Sequence, residues 1–200
     1  MNKDFELAEE IVKKRCRADS GLYTPKAVSI YFKTEVRYIP EKGYRGVFAC
    51  EYIPKDATIG VNGGRIVDNI DGIPDQIKYG VLIDIGVYLM PSNYNLMEDS
   101  WFINHSCDPN VEGIGGRLSI AKQEIEPGDE LTVDYAPLVA GEENWFMNCN
   151  CGSHTCRKVI KGDDWQNPTI AKRLWKSFSP YIQHKIINSK IYHQKTMIRG

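Results

Sequence analysis

The sequence predicts a mostly β domain of many short strands, with helices confined to its two ends. From Ala27 to Tyr135 the chain runs in short β-branched and aromatic stretches (AVSIYFK, RGVFACEYI, YGVLIDIGVYL, GRLSIAKQEI, ELTVDY) separated by Gly, Pro, Asp and Asn turn signals. Apolar residues at helical spacing occur only outside that region. A length of 200 residues with 42% hydrophobic content suffices for one such domain with a full core and appended segments.

At the start, Phe5, Ala8, Ile11, Val12 and Cys16 predict a short amphipathic helix over residues 5–16, with Asp4 placed to cap it. At the other end Ile170, Leu174 and Phe178 share a face. Ser179-Pro180 interrupts, and Tyr181, Ile182, Ile186 and Ile187 begin a second helix. There is no internal repeat and no low-complexity segment. Charges or prolines break every apolar stretch before it could cross a bilayer, and MNKDFELAEE lacks a secretory apolar core. A soluble, intracellular protein without a membrane partner is expected, cytoplasmic or nuclear according to its source.

The near-neutral net charge of -1 hides a polarity. No Asp or Glu follows Asp164, whereas Lys172, Arg173, Lys176, Lys185, Lys190, Lys195 and Arg199 do, so residues 1–164 hold 18 basic against 26 acidic side chains. Such a tail is either a solvated helix face or a docking surface for an acidic partner such as nucleic acid; the spread of its charges favours the former.

Six cysteines in a chain without a secretory signal imply reduced thiols or metal. Cys149-x-Cys151-x4-Cys156 places three soft thiolates within eight residues, a loop able to wrap a tetrahedral ion. A structural zinc takes four ligands, so either His154, inside the loop, or Cys107, far upstream, supplies the last. Cys16 and Cys50 fit plain core positions. Two further segments set polar groups at strand ends: WFINHSCDPNV (101–111) and GDELTVDYAP (128–137). Taken singly, each is as well explained by a hydrogen-bonded turn or an anchored core tyrosine.

Together, in this order, the segments resemble the SET methyltransferase family. The matching text is RGVFACEYIPKDATI (45–59), YGVLID (79–84), NHSCDPN (104–110), EIEPGDELTVDY (124–135) and the post-SET cluster CNCGSHTCR (149–157), within a resemblance spanning about residues 33–161. The resemblance implies a SET fold of several small curved sheets, mainly β (α+β), with a C-terminal pseudoknot that threads the strand ending at Tyr135 through a loop around Asn104-His105-Ser106, contrary to the usual ban on threaded connections. It implies four segments: an N-terminal helical segment (1–26), the SET domain (27–140), a post-SET zinc-binding segment (141–162) and a basic C-terminal helical extension (163–200).

For the site, the resemblance implies S-adenosylmethionine held by Tyr44, Arg45, Gly46, Asn104 and His105. Tyr135 and Tyr79 would act as catalytic residues orienting the amine. One structural zinc would be bound by Cys107, Cys149, Cys151 and Cys156, selecting Cys107 over His154. The implied activity is methyl transfer to a lysine of a protein substrate, with histone as one candidate. A lysine ammonium, with a pKa of about 10.4, has no lone pair, so a narrow aromatic channel that penalises charge favours the attacking neutral amine. Catalysis then consists mainly of holding amine, methyl carbon and sulfur in line. Three positions depart from the family pattern: Tyr44-Arg45-Gly46 stands where G-x-G is usual, Trp101 where Arg is common, and Val133 where an aromatic often sits. The alternatives are a non-catalytic SET-fold peptide-binding module and a zinc-stapled structural protein; Tyr135, Asn104 and His105 together favour the enzyme.

Overall fold

The computed structural model describes residues 3–18, 30–73, 80–115 and 117–189; Ala27, Tyr79, Lys190, Lys195 and Arg199 lie outside them, as does the side chain of Cys16. Helix α1 (Lys3–Arg15) begins earlier than its apolar spacing suggests, so Asp4 lies inside the first turn with Glu6, where negative charge complements the helix dipole. Cys16 opens strand β1 (Cys16–Ala18) instead of ending the helix. Ala8 and Val12 are buried against Val67, Ile70, Met90 and Tyr94.

Glu9 fixes this helix polarly. Its carboxylate accepts from Arg65 at 2.6 Å and from the Tyr94 backbone N–H at 3.2 Å. Burial opposes ionisation of Glu9, but these donors outweigh it and hold its pKa below the usual value. A depressed folded pKa means that this contribution is present above the unfolded carboxylate range and lost as pH falls through the folded value. Glu9→Ala is expected to cost about 2 kcal/mol in urea unfolding at pH 7, less than the ~3–5 of a fully buried broken pair. The deficit should shrink at pH 3; an equal deficit at both pH values would refute the ion pair as its source.

The strands form four small sheets. One, in order β1-β5-β7-β6, contains β5 (Arg65–Val67), β6 (Val81–Asp84) and β7 (Val87–Met90). The run YGVLIDIGVYL therefore folds as a β6–β7 hairpin rather than one strand, because Gly86 takes a φ of 60° that permits the turn. A second sheet, β4-β10-β9, contains β4 (Thr58–Val61), β9 (Val111–Ile114) and β10 (Leu118–Ala121). The third, β2-β3-β11-β8, contains β2 (Thr34–Ile39), β3 (Tyr44–Ala49), β8 (Asn104–His105) and β11 (Glu130–Val133). Here β11 runs antiparallel to β3 but parallel to β8, pairing Thr132 with Asn104 and Val133 with His105. That parallel pairing brings the Asn-His segment beside the strand leading to Tyr135. The last sheet pairs β12 (Phe146–Asn148) with β13 (Val159–Lys161), and the cysteine loop hangs between them.

Helix α2 (Pro168–Arg173) is capped by the Asn167 side chain, and helix α3 (Pro180–Asn188) by Ser179. Pro180 occupies the first turn of α3, where its missing N–H costs nothing, so Ser179-Pro180 starts a helix as well as interrupting one. Leu174, Phe178, Ile182 and Ile186 are buried as expected, while Ile187 is exposed. They share one core cluster with Leu82, Ala136, Cys149, Ile160 and Trp165, which joins the C-terminal helices to the β region and the cysteine loop. Among the described residues, no helix is long and apolar enough to cross a membrane.

Candidate active site

Tyr135 follows β11 and is held at both ends. Its backbone N–H donates to Nδ1 of His105 at 3.1 Å, and its hydroxyl donates to the Ile103 carbonyl at 2.9 Å. The phenol and imidazole rings lie 5.4 Å apart between centroids. With Nδ1 accepting, the neutral imidazole carries its proton on Nε2, which lies 3.3 Å from the Cys107 sulfur. Burial is the main reason the His105 pKa is pushed down to about 4, which keeps the ring neutral.

The Asn104 amide donates to the Arg45 carbonyl at 2.9 Å and to the Glu130 carboxylate at 2.7 Å, tying the start of strand β3, where the resemblance implied a turn, to β8 and β11. Gly46 permits this approach. A Cβ at that position would lie 2.6 Å from Glu130 Oε1 and 2.9 Å from Asn104 Nδ2. Lys42 also binds Glu130, at 2.8 Å, and the Arg45 guanidinium stacks on Phe102 at 4.5 Å. Tyr44, Arg45, Asn104 and Tyr135 line one cavity of about 330 Å³. A second, of about 430 Å³, is lined by Val133, Leu138, Trp145 and Met147. Tyr44, Trp101 and Tyr135 border both.

Beside this pair of cavities, the sulfurs of Cys107, Cys149, Cys151 and Cys156 all lie within 4.8 Å of one another. A tetrahedral zinc with bonds of ~2.3 Å requires sulfur separations of about 3.8 Å. The Cys107–Cys149 and Cys149–Cys156 separations are both 3.8 Å, so the donor set fits such an ion. His154 is exposed and outside the cluster. Backbone N–H groups point at the sulfurs, from Arg157 to Cys107 at 3.3 Å and from Cys107 to Cys151 at 3.4 Å, as thiolates require. Burial pushes the Cys107 and Cys149 thiols up; at Cys151 burial acts the same way, but hydrogen bonds from Ser153 and the Cys107 backbone outweigh it and pull that thiol down. Cys50 is half-buried and apart from the cluster.

Compared with known families, residues 44–136 match the SET domain. Residues 44–136 of the chain form a SET domain. It is 30% identical over 146 residues to the histone-lysine N-methyltransferase, H3 lysine-36 specific, of Candida albicans, covering 66% of this chain and 17% of that protein. It is 38% identical over 95 residues to the histone-lysine N-methyltransferase ash1 of Drosophila melanogaster, covering 44% of this chain and 4% of the other. Among solved structures it resembles KRYPTONITE in complex with mCHG DNA and SAH, with a TM-score of 0.50 and 26% identity over 66% of this chain and 29% of that one. The chain spans about half or less of the length of the curated relatives it matches.

Within this SET domain, the sequence-predicted residues Tyr44, Arg45, Gly46, Asn104, His105 and Tyr135 converge, and the four predicted cysteines cluster beside them. Tyr79 lies outside the described residues. Sequence reading missed the groups that lock this arrangement. Asp134, 3% exposed, accepts from Arg157 at 2.6 Å and from Arg173 at 3.0 Å. Asn110 grips β11, accepting from the Thr132 N–H at 2.8 Å and donating to the Glu130 carbonyl at 2.9 Å. Asp134, Arg157 and Asn110 all stand inside the motifs, but only the fold reveals their partners. Arg173 counted merely as a tail cation.

Proposed function

We propose that this chain transfers methyl groups from S-adenosylmethionine to the side-chain amine of lysine in a protein substrate. The observation that carries this reading is the place of Tyr135 at the junction of two cavities, one bounded by Arg45 and Asn104, the other by apolar and aromatic side chains. Histone-lysine methyltransferases among the relatives support the acceptor, and the SAH in the KRYPTONITE complex supports the donor. Bound beside Asn104 and Arg45, S-adenosylmethionine would supply an electrophilic methyl carbon next to a positive sulfur.

The chain's own residues would do the rest. The Tyr135 hydroxyl donates its proton to Ile103, and its oxygen would accept from the lysine amine and aim the amine's lone pair at the methyl group. Val133, Leu138, Trp145 and Met147 exclude water and disfavour the charged ammonium. Tyr79 keeps its place in the proposal as a second orienting hydroxyl. Cys107, Cys149, Cys151 and Cys156 would hold one structural zinc, fastening the post-SET segment (141–162) to the SET domain (27–140); four thiolates leave no open position for water. The N-terminal segment (1–26) would brace the sheets and the basic extension (163–200) the site. Of the extension's described cations, Arg173 reaches Asp134 and Lys185 lies over Trp165 at 4.8 Å, so docking of nucleic acid or another acidic partner falls mainly to the remainder.

Incubation with labelled S-adenosylmethionine and a protein extract containing histones, followed by mass spectrometry, is expected to yield methylated lysine. Calorimetric binding of the cofactor without any transfer would favour the peptide-binding module instead. Gly46→Ala, which forces Glu130 and Asn104 aside, is expected to weaken S-adenosylhomocysteine binding by about tenfold, in line with the ~1–3 kcal/mol typical of overpacking. Unchanged affinity would remove the start of β3 from the cofactor site.

A further inference from the structure

One polar tie of the C-terminal extension reaches back to the SET domain. From α2, held in the core by Ala171 and the following Leu174, Arg173 reaches two points at once. One guanidinium nitrogen donates to Asp134 Oδ2 at 3.0 Å, and the other to the Cys107 backbone carbonyl at 3.1 Å. Asp134 directly precedes Tyr135, and Cys107 follows His105 by two residues. His105 in turn accepts the Tyr135 N–H. The Asp134 carboxylate is also reached by Arg157 from the post-SET loop, by the Ala136 N–H at 3.0 Å and by His105 at 4.0 Å.

We infer that Arg173 is a positioning residue for methyl transfer, clamping the Asp134-Tyr135 corner to the Cys107 backbone so that the Tyr135 hydroxyl is held at the junction of the two cavities. The inference rests on the methyl-transfer reading above. Arg157 and the Ala136 N–H take the other oxygen, Oδ1, whereas Arg173 takes Oδ2. The planar fork of arginine is needed to bind a carboxylate and a carbonyl together; a lysine ammonium projected from the same helix reaches one of them well. The Arg173 side chain is 39% exposed, so its electrostatic attraction is screened and its value lies in geometry more than in stability.

The test compares the full chain with Arg173→Met, Arg173→Lys and the neighbouring control Lys172→Met. Zinc content, thermal melting and methyl transfer to a fixed protein extract at varied S-adenosylmethionine are measured for each. Arg173→Met is expected to retain one zinc per chain and a KM for S-adenosylmethionine within about twofold, while its apparent kcat falls about tenfold, the signature of misplaced reacting groups. Arg173→Lys should lose only about threefold, and Lys172→Met nothing, since only the fork contacts the corner. An active wild type beside a folded Arg173→Met of equal kcat, or a kcat loss that merely follows zinc loss or a raised KM, overturns the positioning role alone. A zinc-loaded wild type that methylates no lysine overturns the functional reading and this role with it. Should Arg173→Met fail to fold, Arg173→Lys decides: a wild-type kcat in that variant refutes the two-point clamp.

Discussion

Cys107→Ser is expected to abolish the proposed zinc binding, to loosen the chain from Cys149 to Cys156, and to reduce methyl transfer to background. The effect is large because Cys107 is the one sulfur of the cluster contributed by the SET domain itself; the other three belong to a single short loop. It is 1% exposed, receives the Arg157 N–H on its sulfur, and donates its own N–H to Cys151. Three thiolates without the fourth would leave an incomplete tetrahedron, and structural zinc sites contribute about 10–16 kcal/mol of apparent binding energy that is coupled to folding. Metal analysis should fall from one zinc per chain to a small fraction, and limited proteolysis should cut within the loop. Full occupancy in the variant would point to His154 as the ligand. Chelation of the unmodified protein should reproduce the same cleavage pattern.

Tyr135→Phe is the second large effect, and it separates chemistry from architecture. Phenylalanine keeps the ring beside His105 and leaves the backbone N–H on Nδ1. It deletes only the hydroxyl, whose loss leaves the Ile103 carbonyl one donor short and costs about 1 kcal/mol of stability. Zinc content and S-adenosylhomocysteine affinity should therefore persist. The turnover number is expected to fall by about a hundredfold, since an oriented polar contact to the reacting amine is removed. Unchanged turnover would exclude Tyr135 from the role assigned to it and shift attention to Tyr79 or Tyr44.

Much of the fold was legible where local signals suffice. The alternating runs around Val47, Leu118 and Leu131 became β3, β10 and β11, and the stripe of Ala8 and Val12 became a buried helix face. Signals failed where one run held two elements, as at Gly86, or where a strand was too short to show a period, as at β12 and β13. Both short strands depend on each other's hydrogen bonds rather than on composition. The site divides in the same way. NHSCDPN and ELTVDY are visible as text, but Asn110 gripping β11 is not, because it depends on two segments 22 residues apart lying side by side.

By itself, then, the sequence determined which side chains were available: three closely spaced thiolates, an Asn-His pair, a tyrosine at a strand end, and a tail free of acids. Choice of partners came only with the tertiary structure. It brought the Cys107 sulfur, which only the family resemblance had implied, beside the other three, and it set Arg173 on Asp134. The reason is physical: spacing along a chain constrains contacts only over a turn or two, whereas burial obliges each buried charge and hydrogen-bonding group to find a partner wherever packing brings one within reach.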